Sequence, residues 1–299
     1  MDIIAAATLA ILLNAVADSL RVGTVRFPAR IGGLGRLLLA ILLLGVAASS
    51  VPAEALHAQP QATELQPKIF LPLIGQASGT PGCPVRSSAR YHSIPVLPPP
   101  TDRPAAAHAD LNLALRGYVA TSAYLGLVDY NGTADPAAPK IPGMFSDGRK
   151  PTFTATFRVR DWNWGCGGSG CVGDPLAYPG VTLLEMATAR GEGIAIPSRS
   201  AEIYGGGYQA MVLYAEEQRI TLKYTREDNV VQGYTVHLEN LCVDPELLSL
   251  YRALDASGRR KLPALRNDEG LGTAAGNAIG VAVRDTGSFQ DPRSRKDWW

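Results

Sequence analysis

Thr152-Phe153-Thr154-Ala155-Thr156-Phe157-Arg158-Val159-Arg160 is the stretch that decides the fold class. Phe153, Ala155, Phe157 and Val159 alternate with Thr152, Thr154, Thr156, Arg158 and Arg160. Successive side chains of an extended chain point to opposite sides, so the pattern predicts a strand with one buried face. Residues 209–215 and 219–225 are two further β-prone runs around Glu216-Glu217-Gln218, with Ile220, Leu222 and Tyr224 sharing a face. They predict a hairpin. Residues 233–238 and 278–284 supply two more strands.

One helix is predicted. Asp244 can cap it, Pro245 suits its first position and Glu246 favours the positive end of its dipole. Leu247, Leu250, Tyr251 and Leu254 then follow the helical period up to Gly258. Residues 108–299 therefore read as a mainly β body, a β-sandwich or barrel-like unit with one short helical insertion.

Upstream the composition changes twice. Residues 1–58 form a hydrophobic targeting region: an apolar run, then Arg21, Arg26, Arg30 and Arg36 without an acidic residue between them, then the apolar residues 37–48. A basic stretch ahead of a short apolar run and small residues is the layout of a signal peptide, with cleavage sites near Ala55 or Ala58. The first apolar run fits either a misassigned start or a membrane hairpin, although both runs fall short of the ~20 residues a spanning helix needs. Residues 59–107, rich in Pro, Ala, Ser and Thr, read as an extended spacer. Within them, residues 69–74 are apolar enough to dock on the body.

The 299-residue chain carries 28 basic and 27 acidic side chains, so no excess positive field favours nucleic acid. Cys83, Cys166, Cys171 and Cys242 all lie downstream of the cleavage sites, where an oxidising compartment would let them pair. Cys166 and Cys171 bracket a glycine-rich loop that can close on itself, leaving Cys83 to reach Cys242. Zinc is the alternative for four cysteines, but paired C-x-x-C hooks are absent.

In the last third, Gly191-Glu192-Gly193-Ile194, Tyr234-Thr235-Val236-His237-Leu238, Val243, the turn-like Glu269-Gly270-Leu271-Gly272, a strand over 279–284 and Asp291-Pro292 follow one another. This order over residues 186–299 resembles the lysostaphin-type zinc endopeptidases. The resemblance implies a β-rich domain in which His237 lines the active-site groove. The family's zinc ligands have no counterpart: the strand that should carry H-x-H reads Val281-Ala282-Val283, and His108-Ala109-Asp110-Leu111-Asn112 has Asn112 where the carboxylate belongs. Zinc is then possible only with ligands that are not evident, and the resemblance implies a non-catalytic relative. His237 is accordingly a candidate catalytic histidine or a structural one. A hydrolase would need carboxylates such as Asp161, Asp285 or Asp291 beside it.

A second candidate owes nothing to a family. If the strand at Thr152 runs on unbroken, Trp162 and Trp164 share the outward face of Arg158 and Arg160, forming an aromatic and cationic binding surface. A bulge, which Asn163 and Gly165 favour, would turn both rings into the core. The terminal residues 293–299, with two tryptophans, either reach a partner or fold back over an apolar patch. The function expected is that of a secreted or envelope protein binding a cell-wall or extracellular polymer without catalysis. Its membrane contact would come only through the N-terminal segment. An active hydrolase of such a polymer and a structural surface protein are the alternatives.

Overall fold

The computed structural model of the protein describes residues 83, 84 and 86–299. The targeting region and the apolar residues 69–74 lie outside the described residues. Fourteen strands and two α-helices are present among them. In chain order they are β1 (His92–Pro95), β2 (Tyr118–Thr121), β3 (Phe153–Asn163), β4 (Cys171–Pro175), β5 (Leu183–Ala187), β6 (Gly193–Ala195) and β7 (Tyr208–Glu216). There follow β8 (Arg219–Lys223), β9 (Tyr234–Glu239), β10 (Leu241–Val243), α1 (Pro245–Ala256), β11 (Lys261–Arg266), β12 (Gly270–Ala274), β13 (Ala278–Asp285), β14 (Ser288–Gln290) and α2 (Arg295–Trp298).

The strands form two antiparallel sheets. The larger runs β1-β11-β7-β8-β9-β13-β5-β3-β2, with β14 beside β13 and β4 beside β3. The smaller runs β10-β12-β6. The predicted strands fall within β3, β7, β8, β9 and β13, and β7 and β8 form the expected hairpin. Among the described residues no helix is long and apolar enough to cross a membrane.

Register explains why the sheet's middle has two unlike faces. Ile220 lies opposite Leu238, which lies opposite Val281, and Leu222, Val236 and Val283 form the next such row. All six are buried in the main core with Ile279. On the opposite face the rows are Arg219, Glu239 and Gly280; then Thr221, His237 and Ala282; then Lys223, Thr235 and Arg284. A polar face usually meets water. Here Thr221, Lys223, Thr235, His237, Glu239 and Arg284 are all buried. Part of the cover is residues 105–117, which include the short 3-10 turns Ala105–Ala107 and Leu113–Leu115. The Thr221 hydroxyl donates to Leu111 O at 2.6 Å.

In β3 the alternation is broken. The pairing with β5 shifts between Phe153 and Ala155. Phe153 therefore joins the main core, whereas Phe157 and Val159 join a smaller cluster with Leu113, Leu183, Ala282 and Phe289. One extra residue at a bulge swaps the faces of everything beyond it.

Helix α1 is capped as predicted: Asp244 Oδ1 accepts from Glu246 N at 2.9 Å and Leu247 N at 3.4 Å. Leu247, Leu248 and Tyr251 are its buried side. Residues 269–272, read above as a turn, instead enter β12. Gly272, at φ +142°, passes so close to β10 that a Cβ would lie 1.9 Å from Cys242 O. Cys242 is disulfide-bonded to Cys83, with an S–S distance of 2.05 Å. Cys166 and Cys171 close their own loop at 2.17 Å. Both pairings suit an oxidising compartment. Strand β1, inside the segment read as spacer, pairs along β11 from His92 opposite Ala264 to Pro95 opposite Lys261. The chain's end folds back: Trp298 is buried in the main core and donates from Nε1 to Asp291 O at 2.9 Å. The Trp299 ring packs 5.3 Å from that of Phe153.

Candidate functional site

Strands β3 and β4 form a hairpin whose tip is closed by Cys166 and Cys171 and carries Trp162 and Trp164. A second register shift falls between Arg160 and Trp162 in the pairing with β4. This bulge does not bury the rings: Trp162 is half-buried and Trp164 is 40% exposed. Trp162 lies down on the disulfide loop and donates from Nε1 to Ser169 O at 3.2 Å. It can do so because Gly170, at φ +79°, has no Cβ, which would come 2.2 Å from that nitrogen. The two ring planes meet at 65° with centroids 6.1 Å apart. They make a corner, not a flat platform.

Local polar groups brace the corner. Arg103 lies over the Trp164 ring at 4.5 Å, and His108 meets the same ring edge-on at 5.2 Å. Arg103 pairs with Asp102 through Nη2 at 2.8 Å. His108 Nδ1 accepts the backbone N–H of Asp110 at 3.2 Å, so its proton sits on Nε2, 3.6 Å from Asp102 Oδ1. Burial pulls the His108 pKa below its ordinary value, outweighing Asp110 and Asp102. The cation beside the rings is thus Arg103. Arg160 is engaged elsewhere, donating from Nη1 to Gly173 O at 3.4 Å. Arg158 lies opposite Val119 of β2, with its buried Nε unpartnered among the described residues.

Behind the corner, a buried charge cluster fixes the base of the hairpin. Asp110 Oδ1 accepts from Arg116 Nη2 at 2.6 Å and from Arg284 Nη1 at 2.8 Å. Burial alone would raise this carboxyl, but Arg284 and Arg116 together hold it below its ordinary pKa. Arg116 also donates to Ala109 O at 3.0 Å and to Arg160 O at 3.2 Å, which ties it to β3 two residues before Trp162. Both guanidinium groups face the Phe289 ring, at 5.6 Å for Arg116 and 4.6 Å for Arg284.

His237 stacks on the same Phe289 ring, with centroids 6.1 Å apart. It is only 1% exposed. Thr221 spends its proton on Leu111 O, so its oxygen accepts from His237 Nδ1 at 3.0 Å. Nε2 is left as a lone pair without a partner among the described residues. Burial, then Arg284 and Arg116, drive the His237 pKa well below its ordinary value and keep the ring neutral. Asp161 is exposed, Asp285 is partly exposed and Asp291 is clamped by Arg293, with Nε to Oδ1 at 3.0 Å and Nη2 to Oδ2 at 2.7 Å. None of these carboxylates bonds to His237. The charged groups that act most on this imidazole are the guanidiniums of Arg284 and Arg116, which disfavour a cation beside it. Among the described residues no group of three or more His, Cys, Asp or Glu side chains is placed to hold a metal.

No protein-family model matches the chain, and neither a curated protein nor a solved structure is found similar to it. The geometry alone therefore carries the functional argument. Periodicity and the paired cysteines located the tryptophans and their loop. Arg103, His108, Asp110 and Arg116 were missed as their partners, because the pairing depends on contacts that no local pattern encodes.

Proposed function

We propose that the described body is the extracytoplasmic, polymer-binding part of an exported bacterial-type protein, and that its ligand docks on the Trp162–Trp164 corner. The observation that carries this reading is the 40% exposure of Trp164 on a disulfide-closed loop, where a bulge offered a route to burial. Leaving part of a large aromatic side chain in water forgoes some of the free energy that burial would supply. A stiff loop that keeps two such rings at the surface suits stacking against sugar or peptide surfaces. The corner is bordered by paired charges, Arg103 with Asp102, so it favours neither a strongly acidic nor a strongly basic polymer.

A cell-wall or extracellular polymer fits these demands and the two disulfides. The alternative of a hydrolase acting through His237 finds less support, because a general base must reach the proton it removes and this imidazole is sealed in the sheet's interior. Co-sedimentation of the purified chain with insoluble peptidoglycan sacculi tests the reading. The wild type is expected to pellet with sacculi and the Trp162→Ala/Trp164→Ala double variant to stay in solution. Equal pelleting of the two would overturn it.

A further inference from the structure

On the described surface a second concavity opens between the loop after β4 and the chain's C-terminal segment. Its cavity volume is about 160 Å³, smaller than a pocket for a drug-sized ligand and suited to one small unit. Two tyrosines are part of its lining. Tyr178 is 81% exposed, and its hydroxyl makes no hydrogen bond among the described residues. Tyr130 presents its ring while its hydroxyl donates to Asp291 Oδ2 at 2.8 Å. Lys296 and Asp297, which also line it, are paired at 2.7 Å.

The floor is rigid before any ligand arrives. Ser294 Oγ donates to Asp297 Oδ2 at 2.6 Å, Lys140 Nζ donates to Asp297 O at 2.6 Å, and buried Trp298 holds Asp291 O. The groups left unpaired are amides. Asn131 makes no side-chain hydrogen bond among the described residues, and Gln290 donates weakly to Ser288 O at 3.3 Å, leaving its side-chain carbonyl free.

From this geometry we propose that the cleft binds one unit of a neutral saccharide. The charges that face it are already matched, so an ionic ligand gains nothing from them. Tyrosine faces suit the apolar side of a pyranose ring, whose hydroxyls both donate and accept and so can satisfy the Asn131 amide, the Gln290 carbonyl and the Tyr178 hydroxyl together. A peptide brings one backbone donor and one acceptor per residue and matches such a cluster less well. The site is separate from the tryptophan corner and does not depend on it.

Saturation-transfer NMR on the full chain tests this with two neutral probes, the hexasaccharides of β-1,4-linked glucose and of β-1,4-linked N-acetylglucosamine. Wild-type protein is expected to transfer saturation to at least one probe at millimolar concentration. Tyr178→Ala, which removes an exposed ring with no hydrogen bond, is expected to weaken that binding about tenfold. The Trp162→Ala/Trp164→Ala variant should retain it, which separates this site from the sacculus result. Absence of transfer from both probes, an unchanged affinity in Tyr178→Ala, or a loss confined to the tryptophan variant would each overturn the proposal.

Discussion

Alternate residues of β8, β9 and β13 make two unlike faces: the central rows of one are Ile220, Leu238, Val281 and Leu222, Val236, Val283, whereas the other holds Arg219, Thr221, Lys223, Thr235, His237, Glu239 and Arg284. Both are buried. The aliphatic face gains stability simply by leaving water. The polar face must satisfy each group it hides, and it does so unevenly. Asp110 is bound by two arginines, whereas Thr235 Oγ1 and His237 Nε2 have no hydrogen-bond partner among the described residues. Burial of this kind adds little net stability, but it specifies geometry: the cluster fixes residues 105–117 and, through Arg116, the base of the tryptophan hairpin.

The comparison breaks most sharply at Arg284. Its replacement by Ala leaves the buried Asp110 with one partner and is expected to cost about 3–5 kcal/mol in chemical denaturation. On the other face, Leu238→Ala removes a fully buried side chain of the main core, with an expected loss of about 2–5 kcal/mol. The two should differ in a second readout. Loss of Arg284 should loosen the hairpin and change the fluorescence of its tryptophans, whereas Leu238→Ala should destabilise without that local change.

Lys223 sharpens the contrast with the opposite sign. Burial pulls its ammonium down to about 8, only partly opposed by Glu227. Between that value and its ordinary 10.5 the unfolded chain holds a proton that the folded chain has released, so stability rises with pH across this window. Lys223→Met is expected to flatten that rise and to stabilise the protein at neutral pH by about 2–3 kcal/mol. A variant less stable than wild type at pH 7 would contradict the assignment.

His237 acts at the acid end. Because the folded ring stays neutral well below 6.5, acidification through that value protonates only the unfolded state, and stability falls as pH falls. The expected slope is about 1.4 kcal/mol per pH unit, absent from His237→Asn. Identical acid profiles for the two proteins would show that the ring is not held neutral.

Much of this was legible from local pattern. The β7–β8 hairpin, β9, β13 and the cap of α1 follow from periodicities that neighbouring residues impose on one another. The pairing of Cys166 with Cys171 follows from a loop too short to offer much else. Strands β1 and β11 were not legible, since Pro95 and Pro263 interrupt any β signature and the pairing of β1 with β11 and of β11 with β7 joins distant segments. The burial of the polar face was hidden for a related reason. Alternation distinguishes two faces but not whether the polar one meets water, and here its cover comes from residues 105–117, more than a hundred positions upstream of Thr221. Trp162 and Trp164 adjoin as strand alternation suggests, but Arg103 and His108, which contact the Trp164 ring, come from that same distant segment.

If function lies at the rim and structure in the interior, the two respond differently to one ligand. The most direct measurement is a pair of sacculus-binding isotherms recorded side by side, for Trp162→Ala/Trp164→Ala and for His237→Asn, each against wild type. The account predicts that binding is lost in the first and keeps its wild-type affinity in the second. Binding that survives loss of both tryptophans but fails without the imidazole would contradict it and move the functional centre into the polar interior.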